Sequence, residues 1–190
     1  EIDMFGTGDR QLTAELGKEG YPYIHGMSGT NITMLVPNSA DANAPLADQR
    51  VRLAVSHAIN REALVEARGF GLAQPAYQLA VQGLQAYMED YEGHAYDPNR
   101  AKELLAEAGY ADGFDTKLIA PPSEDRETVV AIQQYLANVG IRAEIEIPDN
   151  ARYREYQTKG WDGFLVQGGG FYANYNRWIQ FRFLGGPQVL

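Results

Sequence analysis

The sequence contains no cysteine, which removes disulfides, thiolate nucleophiles and cysteine-ligated zinc or iron–sulfur sites from consideration. Histidine is almost as scarce. His25, His57 and His94 are the whole supply, and no two of them stand at metal-ligand spacing. No apolar run approaches the ~20 residues a membrane-spanning helix needs. Positive charge is short as well: 16 Lys and Arg face 25 Asp and Glu, a formal net charge of −9. Such a surface repels phosphate backbones, so nucleic acid is not an expected partner. The composition is that of a globular chain, 45% apolar and 22% charged, and 190 residues suit one full domain. The chain opens Glu1-Ile2-Asp3-Met4-Phe5 with neither an initiator Met nor a signal segment. It therefore reads as a piece of a longer precursor, with any signal peptide or membrane anchor upstream.

Catalytic signatures fail one by one. Gly26-Met27-Ser28-Gly29-Thr30 resembles a nucleophile elbow, but its last glycine is misplaced and it precedes a strand instead of leaving one. Gly6-Thr7-Gly8 and Gly168-Gly169-Gly170 complete no phosphate-binding motif. Asp41-Ala42-Asn43 opens like a calcium loop, yet the twelfth position is Arg52, which offers no carboxylate. Glu89-Asp90 falls in an irregular region and reads as a solvated turn. A large apolar skeleton without an assembled catalytic set points to a binding module, with no metal and no cofactor.

What is present is an alternation of strands and helices. Tyr23-Ile24-His25 and Thr30 to Val36 predict two extended stretches, the second β-branched and almost continuously apolar. Val51, Ala54, Val55, Ala58 and Ile59 form one helical stripe, and Asn60 is placed to cap a second helix, Arg61 to Ala67. Residues 72–94 show no sustained period and predict a long irregular excursion. Asp97 and Pro98 supply an N-cap and a first helical residue, and Gly109 a left-handed stop. A strand is predicted at Asp115 to Ala120, and a helix capped by Ser123 runs to Gly140. Ile141, Ala143, Ile145 and Ile147 alternate with charged residues as a strand does. A helix from about Asn150 to Lys159 and a strand from Trp161 to Val166 complete the order. The pattern predicts an α/β domain with a largely parallel or mixed sheet.

Four stretches then resemble a known family, in order along the chain. They are Pro45 to Leu64, Tyr96 to Tyr110 with Asp112-Gly113-Phe114 after it, Leu136 to Ile141, and Gly160 to Phe164. Together they are similar to the family 5 extracellular solute-binding proteins, the peptide/nickel type. The resemblance implies a type II periplasmic-binding-protein lobe, one of two that close on a ligand. It implies residues 1–20 as a remnant of the first lobe and 21–36 as a crossing segment. Residues 37–168 would be the second lobe and 169–190 the return crossing. It also implies an extracytoplasmic, monomeric receptor serving an ABC permease, bound to the membrane only through an anchor outside this chain. A ligand-sensing domain on the same fold, and an α/β enzyme with an unfamiliar site, are the alternatives.

In open α/β sheets ligands sit beyond the carboxyl ends of the strands. That rule nominates Pro122, Ser123, Gly169, Gly170, Phe171, Tyr172, Asn174 and Tyr175 as ligand-binding candidates. The glycines would admit a ligand backbone, and the aromatics would form walls or pack the lobes. Peptide-binding members of the resembled family place an acidic residue within Trp-x-Ala-Asp-Tyr. Here the matching stretch is Phe171-Tyr172-Ala173-Asn174-Tyr175. Neutral Asn174 weakens any charge-assisted contact with a ligand ammonium at that position.

Overall fold

The structure is a computed structural model that describes residues 9–23, 31–78, 80 and 87–170. Four strands form one sheet: β1 (Asn31–Pro37), β2 (Phe114–Ile119), β3 (Ile141–Glu146) and β4 (Phe164–Gly170). Their order across the sheet is β1-β4-β2-β3. β2 pairs in parallel with β3 on one side and β4 on the other, whereas β1 pairs antiparallel with β4. The sheet is thus mixed, parallel at its centre and antiparallel at one edge.

Among the described residues six helices accompany it: α1 (Arg10–Lys18), α2 (Gln49–Ala58), α3 (Arg61–Arg68), α4 (Pro98–Glu107), α5 (Arg126–Asn138) and α6 (Asn150–Lys159). A single 3-10 turn at Pro45–Ala47 precedes α2. The predicted punctuation operates as expected. Asn60 accepts from the Ala63 amide at 3.0 Å, and Asp97 accepts from the amides of Asn99 and Arg100. Gly109 adopts φ of +91° just beyond α4. The described part of 72–94 carries neither helix nor strand.

Alternation along the strands splits the core into two unequal layers. Leu118, Ala120, Phe164, Val166, Ile141 and Ala143 face the helices α2, α4 and α5, whose buried residues include Val51, Leu105, Val129 and Leu136. Ile119 and Leu165 face the other way, onto Tyr153 of α6 and Trp161. α6 is fastened there by the Tyr153 hydroxyl, which donates to the Val166 carbonyl at 2.7 Å. One face is heavily covered, the other thinly.

Three expectations need correction. The helix after β2 is capped by Asp125, not Ser123: the Asp125 carboxylate accepts from the Thr128 amide at 3.1 Å and its hydroxyl at 2.7 Å. A turn closed by the Glu124 amide on the Pro121 carbonyl uses up the residues between. The last strand starts at Phe164, because Trp161 instead packs under the sheet with its indole N–H donating to the Val36 carbonyl. That strand also runs on through Gly168, Gly169 and Gly170. Helix α1 falls where no element was predicted. It is capped by Asp9 and has no buried residue, and Leu12 and Leu16 give it an apolar stripe only about one turn long. Of the predicted stretch Tyr23 to His25, Ile24 and His25 lie outside the described residues.

The first turn of α2 yields a pH prediction. Asp48 caps the helix through the Arg50 amide and holds the Arg50 guanidinium, which in turn donates to the Glu107 carbonyl at the end of α4. The side-chain hydrogen bond from Arg50 holds the Asp48 carboxyl down to about 2, from an ordinary 3.8. A depressed folded-state value means stabilisation that is present above the ordinary value and lost as pH falls through the folded one. The urea midpoint is therefore expected to drop between pH 4 and pH 2. Asp48→Asn, which keeps a cap but has no charge to lose, is expected to show a shallower drop over the same window.

Candidate functional site

Because β2 and β4 are parallel neighbours, with Leu118 opposite Phe164 and Ile119 opposite Leu165, their carboxyl ends emerge together. β1 joins the same edge from the opposite direction, setting Thr33 against Gly168, Ile32 against Gly169 and Asn31 against Gly170. One rim of the sheet thus collects the start of β1, the end of β4 and the turn from Ala120 to Asp125.

The predicted residues distribute as follows. Pro122 and Ser123 are exposed in the turn after β2. Gly169 and Gly170 close β4, and their backbone is committed to the ladder with β1. The glycine run is therefore a bare-surfaced strand end, not a free loop. Phe171, Tyr172, Asn174 and Tyr175 lie outside the described residues.

The same rim holds a group that the sequence reading passed over. Glu124 is half-buried, and the Thr33 hydroxyl lies 3.5 Å from its Oε1. Burial pushes its carboxyl above the ordinary range, and Arg10 of α1 is close enough to oppose that rise. The only clue in the sequence was an acid two residues after a Pro-Pro stop. In a Pro-Pro-Ser-Glu-Asp run that clue is indistinguishable from helix-capping material.

Elsewhere the described residues line open hollows. One of about 520 Å³ lies beside β3 and α5, lined by Asp115, Gln133, Arg142 and Glu144 among others. Another, about 500 Å³, lies between the loop 39–48 and Tyr110. Neither touches the rim. His57 and His94, far apart in sequence, have ring centroids 5.3 Å apart, and His57 Nδ1 sits 2.8 Å from the Ala95 carbonyl. Among the described residues no three potential metal ligands converge, and no helix is long and apolar enough to cross a membrane.

A mixed sheet flanked by helices, with its parallel carboxyl ends gathered on one rim, defines a periplasmic-binding-protein-like lobe. Residues 1–184 match the family described as bacterial extracellular solute-binding proteins, family 5, middle part, and the chain belongs to that family. It is 39% identical over 119 residues to the glutathione-binding protein GsiB of Escherichia coli K12, an overlap of 61% of this chain and 23% of that protein. Among solved structures it is similar to the periplasmic binding protein DppA of Helicobacter pylori in complex with the peptide STSA. There the TM-score is 0.81 at 25% identity, over 95% of this chain and 36% of the other. It is also similar to AgaA of A. tumefaciens R10 in complex with agropinic acid, with TM-score 0.71 and 28% identity over 83% and 33% of the two chains. The chain thus spans roughly a quarter to a third of the length of these relatives.

Proposed function

We propose that this chain supplies one wall of an extracytoplasmic receptor that captures a small peptide-like solute and hands it to an ABC permease. The observation that carries this reading is the convergence of β2, β4 and the start of β1 on one rim. A ligand laid across that rim meets polar strand ends and a glycine surface, with room for a second lobe to close from the other side. The function is capture without chemical conversion. Within the receptor, residues 1–20 belong to the first lobe, 21–36 and 169–190 are the crossings, and 37–168 form the second lobe. The antiparallel pairing of β1 with β4 supports this, since it runs the entering and leaving segments side by side. Pro122, Ser123, Gly169, Gly170, Phe171, Tyr172, Asn174 and Tyr175 remain the proposed ligand contacts. The relatives named for glutathione and for a bound peptide support a ligand of that class.

Calorimetry tests the reading. The full-length receptor is expected to bind glutathione or a short peptide, and this chain alone to bind the same compound at least about a hundredfold more weakly, because most of a ligand's surface is buried between two walls. Equal affinity in the isolated chain would overturn the two-lobe reading, and turnover of the compound would overturn capture without conversion.

A further inference from the structure

Glu124 is an unusual carboxylate for a structural one. Carboxylates are almost never fully buried unless paired, and even the partial burial of Glu124 disfavours its charged form. Among the described residues the one hydrogen bond to it is the long contact from Thr33 Oγ1, at 3.5 Å. It is not needed to cap α5. Asp125 already serves the free amide there and also binds Arg68 through both carboxylate oxygens, at 2.9 and 3.0 Å. The neighbouring backbone is likewise fixed without the side chain, by the Glu124 amide on the Pro121 carbonyl.

Its setting on the sheet side is small and polar. Thr33, Leu35, Phe164 and Val166 share the α5 face by strand alternation. Thr33 and the exposed Gly168 stand directly opposite each other on that face. Gly168 has no side chain, so at that position β4 itself sets nothing beside the Thr33 hydroxyl. Among the described residues the positive charge that acts on Glu124 is Arg10, which belongs to a helix with no buried residue.

Resting on the solute-capture reading above, we propose that Glu124 is a ligand-binding residue, and that its carboxylate, steadied by Thr33, receives an ammonium group of the solute on the rim beside Gly168. Beside the coulombic influence of Arg10, the ligand would supply a directly bonded positive charge, as a charge-assisted hydrogen bond. Glu124 then carries a cost in the empty receptor that is recovered on binding. Burial raises its folded-state value, so its ionised form opposes folding at neutral pH. Stability tied to it is present below the ordinary carboxylate range and lost as pH rises through the raised value. Neutral Glu124→Gln should therefore leave the ligand-free receptor as stable as wild type or more so, which a structural carboxylate would not do.

The experiment uses the full-length receptor and the tripeptide Ala-Lys-Ala in three forms: unmodified, Nα-acetylated and Nε-acetylated. Calorimetry is run on wild type, Glu124→Gln, Glu124→Asp and Arg10→Ala, with the Tm of each ligand-free protein. Wild type is expected to lose roughly tenfold or more in affinity for one of the two acetylated forms, and that form shows which ammonium is read. Glu124→Gln is expected to lose a similar factor on the unmodified peptide and nothing further on that acetylated form, with partial recovery in Glu124→Asp and an unchanged or higher Tm. Equal affinity of wild type and Glu124→Gln for all three forms would overturn the assignment while leaving the receptor reading intact. So would an equal loss on all three. A Tm that falls alike in Glu124→Gln and Arg10→Ala would assign the carboxylate to Arg10 instead. A wild-type receptor that binds neither these three nor glutathione contradicts the peptide-like reading itself, and the inference falls with it.

Discussion

Gly113→Ala and Gly163→Ala are each expected to lower stability by about 2–5 kcal/mol, the sum of a left-handed backbone penalty and a forced separation of packed backbones. The two glycines hold β2 to its neighbours, one on each side. Gly113 has φ of +72°, and a Cβ there would lie 1.8 Å from the Gly140 carbonyl oxygen at the entry to β3. Gly163 has φ of +77°, and its Cβ would lie 2.4 Å from the Lys117 carbonyl oxygen in the middle of β2. In both cases the obstacle is backbone, which no rotamer change relieves. Against a domain stability of about 5–15 kcal/mol, either change threatens the fold. Their consequences should differ in kind. Gly163 leads directly into Phe164 and fixes where β4 meets β2, so displacing it moves the rim. Urea unfolding measures the loss for both. Calorimetry is expected to show weakened solute binding for Gly163→Ala beyond that of Gly113→Ala once both are held well below their transitions. A loss under about 1 kcal/mol in either variant would contradict the close approach.

The second large effect concerns the two faces of the sheet. Leu118→Ala is expected to cost about 3–5 kcal/mol, toward the upper end for a buried leucine, because a cavity under several packed helices relaxes poorly. Leu118 is fully buried within the cluster that joins the sheet to α2, α4 and α5. Leu165 is equally buried, but its neighbours are Ile119, Tyr153 and Trp161, with Val36 and Tyr156 at the margin. Among the described helices that layer draws a buried residue only from α6, and that residue is Tyr153. A thin cover collapses more readily, so Leu165→Ala is expected to cost about 2–3 kcal/mol. Differences in urea midpoint at constant slope report the ordering. A larger loss for Leu165→Ala would mean the thin face is the better packed one.

The elements that announced themselves did so through local chemistry. Asp97-Pro98 begins α4, Asn60 begins α3, and the alternation from Ile141 marks β3, all within a few residues of sequence. What stayed hidden was non-local or ambiguous. The pairing of Asn31–Pro37 with Phe164–Gly170 joins segments at opposite ends of the chain, and no spacing rule reveals it. Ser123 and Asp125 are both good caps, and only the turn at Pro121 decides between them. Trp161 has strand propensity but is claimed by the thin face, where its indole reaches Val36. Of the site, the rim was legible from the carboxyl-end rule, because parallel strands must leave a sheet on one side. Glu124 was not, since its hydrogen-bond partner Thr33 lies nearly a hundred positions earlier and the charge that acts on it, Arg10, sits on a helix with only a short apolar stripe.

The central claim is that the solute lies on the rim formed by β1, β2 and β4. Amide hydrogen exchange on the full-length receptor, with and without saturating solute, tests it most directly. The account predicts new protection concentrated in residues 31–34, 120–125 and 167–175, with little change along β3 and α5. Protection centred instead on the hollow lined by Gln133, Arg142 and Glu144, with the rim unchanged, would contradict it.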